Sequence, residues 1–393
     1  MERTHPAAGE NIALLRRARG IGQEPLAARA GVSASLLRKI ERGDRAATPP
    51  VVAAIARALG VSTQRLNGSP YTDPEELETQ LDSLRRAVRR HTLPREDVPP
   101  PEGLARSLSR ASALRADTRY GELLETLPTL LGEVTASALA AGGDATAWTQ
   151  VADVYGCAYA VAHRMGQADL AETIVSRQAW AALQTFSPVA SAATAWNEAG
   201  VHQSAGDYGD GLAIVDRAIS TFERGLTSND PESVVTLGSL HLRGVVLASR
   251  HKDKGATDAH LAKAKQLAAR LEEDQLLHNL TFGPGNTALY ELAARVELGQ
   301  PDLAWEMAEP FSRRPPKGLR PSRVGRLHID AARARLALRD HAGAEESLSA
   351  AFRVAPEMAR LHPMAREVLR VLVVAHQRAR PGLSDMAKRA GLR

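Results

Sequence analysis

The sequence is short of several things that whole classes of protein need. One cysteine, Cys157, in 393 residues excludes an intrachain disulfide framework and any zinc site built from cysteine alone. No apolar run approaches the roughly 18 residues of a membrane span, and the N-terminus lacks the apolar stretch of a signal peptide. The expected setting is therefore the reducing cytoplasm, away from a membrane. The twelve histidines show neither an HExxH motif nor a close Cys/His spacing, so no metal site is expected. No nucleophile–base set or nucleotide fingerprint is present, and the glycine-proline run Phe282-Gly283-Pro284-Gly285 lacks the lysine of a phosphate loop. Neither catalysis nor a cofactor is expected. Lysine is scarce too, with seven among fifty basic residues.

At 44% apolar and 24% charged residues, the chain has material for a core and is not a disordered polymer. Its net charge of +5 is unevenly placed. Residues 1–68 carry +6 and the remaining 325 carry −1. A small basic head on a nearly neutral body points the head towards a polyanion.

The head reads as five short helices. The first runs from about Glu10 to Arg19 and ends at Gly20; the second runs from Gln23 to Ala30, with Pro25 in its first turn and Gly31 after it. Ser33 is placed to cap a third, closed by Gly43. Thr48-Pro49 opens a fourth, ended by Gly60, and Ser62 caps a last turn through Leu66. Leu26, Val32, Leu37, Ile40, Val52, Ile55, Ala56 and Leu59 would fill the shared core, while Ala27 and Gly31 let helices two and three cross closely.

The strings GQEPLAARAGVSASLLRKIERG and ALGVSTQRLNG resemble the Cro/repressor-type (XRE) helix-turn-helix family over about residues 10–68, and the unit is assigned to residues 8–68. Gly22 departs from the family's usual Ser or Thr cap, a small loss because glycine is a tolerable N-cap. The resemblance implies that helix three enters the major groove by its N-terminal end. Ser33, Ala34, Ser35, Arg38 and Lys39 are then the groove-facing candidates. Gln23 matches the family's phosphate-contacting glutamine, and Arg42, Arg45 and Arg17 would contact the backbone. Arg16 and Glu41 fall where the family often forms a buried ion pair. The competing reading is two solvated charges.

Residues 69–103 read as a linker containing a helix at about 73–91, opened by Tyr71-Thr72-Asp73-Pro74. Leu77, Leu81, Leu84 and Val88 form an apolar stripe. Two destinations are open for it, packing on the body or forming a dimer seam. The segment LPREDVPPPEG then reads as a semi-rigid extended connection.

From residue 104 to 393 no strand alternation stands out. Helix–turn–helix units recur instead, with turns near 166, 206, 254, 299 and 340, separated by roughly 40, 48, 45 and 40 residues. The unit DAARARLALRDHAGAEESLSAAFRVAP resembles a tetratricopeptide repeat. Such arrays stack into a curved surface whose concave side is lined by the first helix of each pair. Tyr155, Tyr159, Trp180, Trp196, Tyr290 and Trp305 gather here, with packing between repeats as their ordinary role. Asn197 and Asn286 are ligand-binding candidates, because an asparagine amide can bridge the backbone of an extended peptide. As ordinary helix caps they would need no ligand, and Asn286 after Gly285 fits a helix start. The acid-free run Arg313, Arg314, Lys317, Arg320, Arg323, Arg326 is either a solvated loop or an anion-binding element. Cys157 reads as a packing residue.

The two parts together resemble all-α bacterial regulators that join a repressor-type head to tetratricopeptide repeats. These include the Gram-positive peptide-pheromone receptors and, through FGPGNTALY, LAARLEED and the C-terminal segment, relatives in high-GC Gram-positive bacteria. The resemblance implies a homodimeric, sequence-specific DNA-binding protein on a pseudo-palindromic operator, modulated by a peptide or small molecule in the repeat groove. The alternative is a repeat domain that scaffolds a protein partner.

Overall fold

The computed structural model describes residues 8–67, 74–94, 96–142, 144–225, 230–375, 381–390 and 392. These form twenty-one helices and one two-stranded hairpin, an all-α architecture.

The head comprises α1 (Ala8–Ala18), α2 (Gln23–Arg29), α3 (Ala34–Arg42), α4 (Pro49–Leu59) and α5 (Thr63–Asn67). Its boundaries follow local chemistry. The Ser33 hydroxyl accepts from the Leu36 amide at 3.1 Å, and Gly43 ends α3 at φ 86°, a conformation that disfavours any side chain. Ser62 accepts from the Arg65 amide. Thr48 differs from expectation: it precedes Pro49 in an extended conformation but its hydroxyl makes no cap bond, so the fixed φ of Pro49 starts α4. Ile12, Leu26, Leu37, Ile40, Ile55, Leu59 and Leu66 close the core, whereas Val32 lies half-buried at its edge.

The helix α6 (Pro74–Arg89) follows; the Tyr71–Asp73 opening signature lies outside the described residues. Leu81, Leu84 and Val88 are buried against the first helices of the body, which settles where the stripe packs. Beyond α6, His91 meets the Trp180 ring edge-on at 5.0 Å, and Trp180 meets Trp148 in the same way. The last residues of the proline-rich run are not extended, because Pro101–Gly103 already form the first turn of α7 (Pro101–Ala116). Proline at the first helical position forfeits no hydrogen bond there.

The body continues with α8 (Tyr120–Ala140) and then hairpins of helices. These are α9 (Ala145–Arg164) with α10 (Ala168–Thr185), α11 (Pro188–Ala205) with α12 (Tyr208–Gly225), and α13 (Pro231–His251) with α14 (Lys254–Ala268). They continue as α15 (Pro284–Glu297) with α16 (Pro301–Arg313), and α17 (Pro321–Ala337) with α18 (His341–Val354). The chain closes with α19 (Pro356–Leu361), α20 (Pro363–Ala375) and α21 (Pro381–Arg389).

The expectation of no strands in the body is corrected between α14 and α15. There β1 (Gln275–Leu277) pairs antiparallel with β2 (Leu280–Phe282). Three-residue strands carry too little alternation to stand out, and the turn is His278-Asn279, both at positive φ, without the glycine that usually marks such a turn. Tertiary contacts hold it. The Phe282 ring fills the space left by Gly238 of α13, where a Cβ would overlap it. At the tip, His278 lies between Asp153 and Glu232, at 3.2 and 2.6 Å, and Asn279 donates to the Asp153 carbonyl at 2.8 Å. The two carboxylates raise the His278 pKa to about 9 against the opposing effect of burial.

Candidate nucleic-acid interface and ligand chamber

On the outer face of the head, Ser33, Ser35, Arg38, Lys39, Arg42 and Arg45 are exposed and Ala34 is half-buried. These residues share α3 and its two flanks, so the third helix presents a hydroxyl-and-cation surface free of bulky apolar groups. Two of the cations have surface partners. Arg38 lies 3.8 Å from Glu24, and Arg42 lies 2.7 Å from Asp44. Such exposed pairs are weak and screened by salt.

Behind this face, Arg16 grips Glu41 bidentately, with Nε and Nη2 donating at 2.7 and 2.8 Å, and its Nη1 donates to the Ile21 carbonyl at 3.0 Å. Burial pushes the Glu41 carboxyl up, but hydrogen bonds from Arg16 and Gln23 outweigh it and hold the group below its ordinary value. Gln23 spends one amide hydrogen on Glu41 at 2.7 Å; its side chain therefore ties α2 to α3 and is not simply extended towards solvent.

The opposite side of the head is docked on the body. Arg57 donates to the Gly206 carbonyl, Thr63 to the Ser204 carbonyl at 2.5 Å, and Gln64 accepts from the Ala168 amide. Gly206, at φ 91°, sits against Ala53 so closely that a Cβ would overlap it. From α20, Arg370 donates to the Ile40 carbonyl at 2.8 Å, Glu367 accepts from the Ala47 amide at 3.0 Å, and Arg366 donates to the Asn67 carbonyl. Three buried charged residues thus tie α20 to the end of α3, to the loop that follows it and to the end of α5. They were missed from the sequence, although charges at 366, 367 and 370 interrupt a helix otherwise rich in Val and Leu, and that interruption was the available signal.

Between head and body lies a chamber of about 540 Å³. Its walls include α9, α11, α13, α15 and α17, the first helix of each pair, with residues of α7, α10 and α20, and its roof includes Pro49, Val52, Thr63 and Gln64 of the head. Asn197 and Asn286 both belong to the lining. The Asn197 amide donates to Gln178 at 2.8 Å, and that of Asn286 to the Thr281 carbonyl at 2.6 Å. The Asn286 Oδ1 is buried with no partner among the described residues. The Asn286 backbone amide is capped by Asp274, so this residue sits inside the first turn of α15.

Arg320, Arg323 and Arg326 of the basic run also reach the chamber, whereas Arg313 pairs with Glu309 at the surface. Arg243 lies with its guanidinium 3.6 Å above the Trp196 ring and donates to Gln203. Tyr159 projects its hydroxyl into the space left by Gly200. His163, stacked on Tyr159, has its pKa lowered to about 3, by burial first and then by Arg164, Arg243 and Arg250. Cys157 is buried and burial raises its thiol to about 11, so it is an unreactive packing group.

Among the described residues, no helix is long and apolar enough to cross a membrane, and no three His, Cys, Asp or Glu side chains gather as a metal-binding group.

The helix-turn-helix family signature matches residues 12–66. An uncharacterised HTH-type transcriptional regulator, y4dJ, of Sinorhizobium fredii is 46% identical over 54 residues, covering 14% of this chain and 70% of that protein. Two crystal structures are similar at 14% identity. BtubC of P. vanneervenii aligns over 65% of this chain and 92% of its own, with a TM-score of 0.40. Bacillus thuringiensis PlcR, solved in complex with the peptide PapR7 and DNA, aligns over 67% and 95%, with a TM-score of 0.25.

Proposed function

Since the chain belongs to the helix-turn-helix transcriptional regulators, we propose that it is a dimeric, sequence-specific one whose DNA affinity responds to a peptide or small ligand in the chamber. Within the head, Ser33, Ala34, Ser35, Arg38 and Lys39 read the major groove, and Gln23, Arg42 and Arg45 contact phosphates. Two third helices spaced by about one DNA turn, ~34 Å, would meet a pseudo-palindromic operator.

The observation that carries the ligand-responsive reading is the shared wall. The chamber has residues of the repeat helices and of α4 and α5 of the head in its lining, so a ligand that fills it is within reach of both units. A ligand that binds one head position better than another shifts the population between them by that difference in affinity, without chemistry. Asn197 and Asn286 offer amide groups to such a ligand.

The test uses an operator recovered by selection from random duplexes. Sedimentation of the complex should give two chains per operator; one chain per operator overturns the dimer. A small-molecule and peptide fraction of the host cell should change the operator affinity of the full chain, and Asn286→Ala should diminish the response. An affinity indifferent to every fraction overturns ligand control while leaving DNA binding intact.

A further inference from the structure

We propose that the chamber takes a compact multivalent anion, a ligand bearing phosphate or carboxylate groups, held by Arg115, Arg243 and Arg323 with the Tyr159 hydroxyl as a neutral donor. The inference rests on the chamber being a ligand site and goes further by naming the chemistry of the ligand.

Charge is the first support. Eight arginines and three carboxylates line the space, in a body whose net charge is −1. Some of these arginines are matched: Arg326 meets Asp330 at 2.6 Å, and Arg320 lies 3.6 Å from Asp117. Arg115, Arg164, Arg243 and Arg323 have no carboxylate within ion-pair distance among the described residues. A cation withdrawn from water without a counter-charge is costly, and an arriving anion removes that cost.

Unused donors are the second support. Arg115 Nε, Arg243 Nε and the Tyr159 hydroxyl are buried with no hydrogen-bond partner among the described residues. Arg243 is already oriented, its plane stacked on Trp196 and one amino group fixed by Gln203. A guanidinium held in place loses little freedom on binding a carboxylate or phosphate, and its forked geometry matches either group. The orphaned Asn286 Oδ1 adds an acceptor for a donor on the ligand's neutral part.

The titrating groups in the walls report the same field. His362 is driven well below its ordinary value by burial and then by Arg326, Arg164 and other arginines. Burial alone would raise the Tyr290 phenol, yet Arg323, Arg243 and Arg326 bring it below its ordinary value. The volume suits a ligand of about nucleotide size.

The full chain, titrated with sodium pyrophosphate and with citrate while tryptophan fluorescence and melting are followed, should show saturable binding and a raised Tm. Sorbitol at equal concentration should do neither. Preference for pyrophosphate identifies a phosphoryl ligand and preference for citrate a carboxylate ligand. Arg243→Gln and Tyr159→Phe should each weaken binding at least tenfold. Tyr159→Phe removes only an unpaired hydroxyl, so the unliganded chain should melt no lower than the parent. The Arg38→Ala/Lys39→Ala double variant should bind the anions unchanged. The proposal falls if neither anion binds saturably, if Arg243→Gln and Tyr159→Phe bind as the parent does, or if binding disappears with Arg38 and Lys39. Anion binding that leaves operator affinity unaltered upholds the chamber chemistry and removes the regulatory reading.

Discussion

Two groups of arginines in this protein are made of the same side chain and placed under opposite conditions. Arg38, Arg42 and Arg45 on the head stand in water, the first two beside weak surface partners. Arg115, Arg243 and Arg323 surround an enclosed space without a carboxylate at ion-pair distance among the described residues. Exposed cations are cheap to maintain and act on a long polyanion through counterion release, so their effect fades with salt. Enclosed cations are costly, less screened, and selective for a ligand small enough to enter. Total charge therefore says little; the environment of each guanidinium decides which anion it serves.

Arg16 is the informative exception within the head, because it is buried and fully paired. Glu41→Ala would turn it into an unpaired buried cation, the condition of Arg243 in the chamber. We expect a loss of about 3–5 kcal/mol and, with it, of DNA binding. Thermal melting checks this, and a variant that melts like the parent contradicts it.

The surface group should behave differently. Arg38→Ala with Lys39→Ala should weaken operator binding by roughly 1–3 kcal/mol per lost contact and relax the preference for operator over random duplex, with an unchanged melt. Mobility-shift titrations over a salt series provide the measurement, and equal affinity at every salt concentration would refute the assignment.

Two histidines draw the contrast in terms of pH. The folded pKa of His278, about 9, lies above its unfolded value near 6.5. Its contribution is fully present below pH 6.5 and is lost as the pH rises through 9. For His163 the folded value, about 3, lies below the unfolded one, so stability falls as the pH drops below 6.5 and the unfolded chain takes up the proton. His278→Gln should remove the alkaline slope, an effect on the order of 2 kcal/mol because Asp153 and Glu232 remain partly exposed. His163→Asn should reduce the acid slope, leaving the share that His362 contributes. Denaturant midpoints from pH 5 to 10 would reveal both, and unaltered slopes would count against these environments.

The smallest expected effect separates two caps. Ser33→Ala should cost about 1 kcal/mol, whereas Thr48→Ala should stay within about 0.5 kcal/mol because its hydroxyl accepts no cap bond. Equal losses in urea would show that Thr48 caps α4 in solution.

Local chemistry by itself determined the elements of the head. Gly43 and Gly60 at positive φ, Ser33 at a cap and Pro49 at a first position act within a turn, and the effect of each is confined to neighbours in the chain. The turns of the helical pairs were legible for the same reason: small polar stretches near 166, 206, 254, 299 and 340 interrupt long apolar periodicity. The apolar spacing of α6 identified a buried stripe, but spacing alone does not say what covers it, and only packing against α8 and its neighbours did so. The hairpin at 275–282 was invisible because its stability comes from Gly238, Asp153 and Glu232, distant in sequence.

The chamber belongs wholly to the tertiary structure. Arg115, Arg243 and Arg323 are more than 200 residues apart at their extremes and lie in helices of ordinary composition. A guanidinium in the sequence is a fixed charge; whether water, a carboxylate or an empty cavity surrounds it is settled when the array curves and the head closes over it. Desolvation and counter-charge depend on distances through space, and no local pattern encodes those distances.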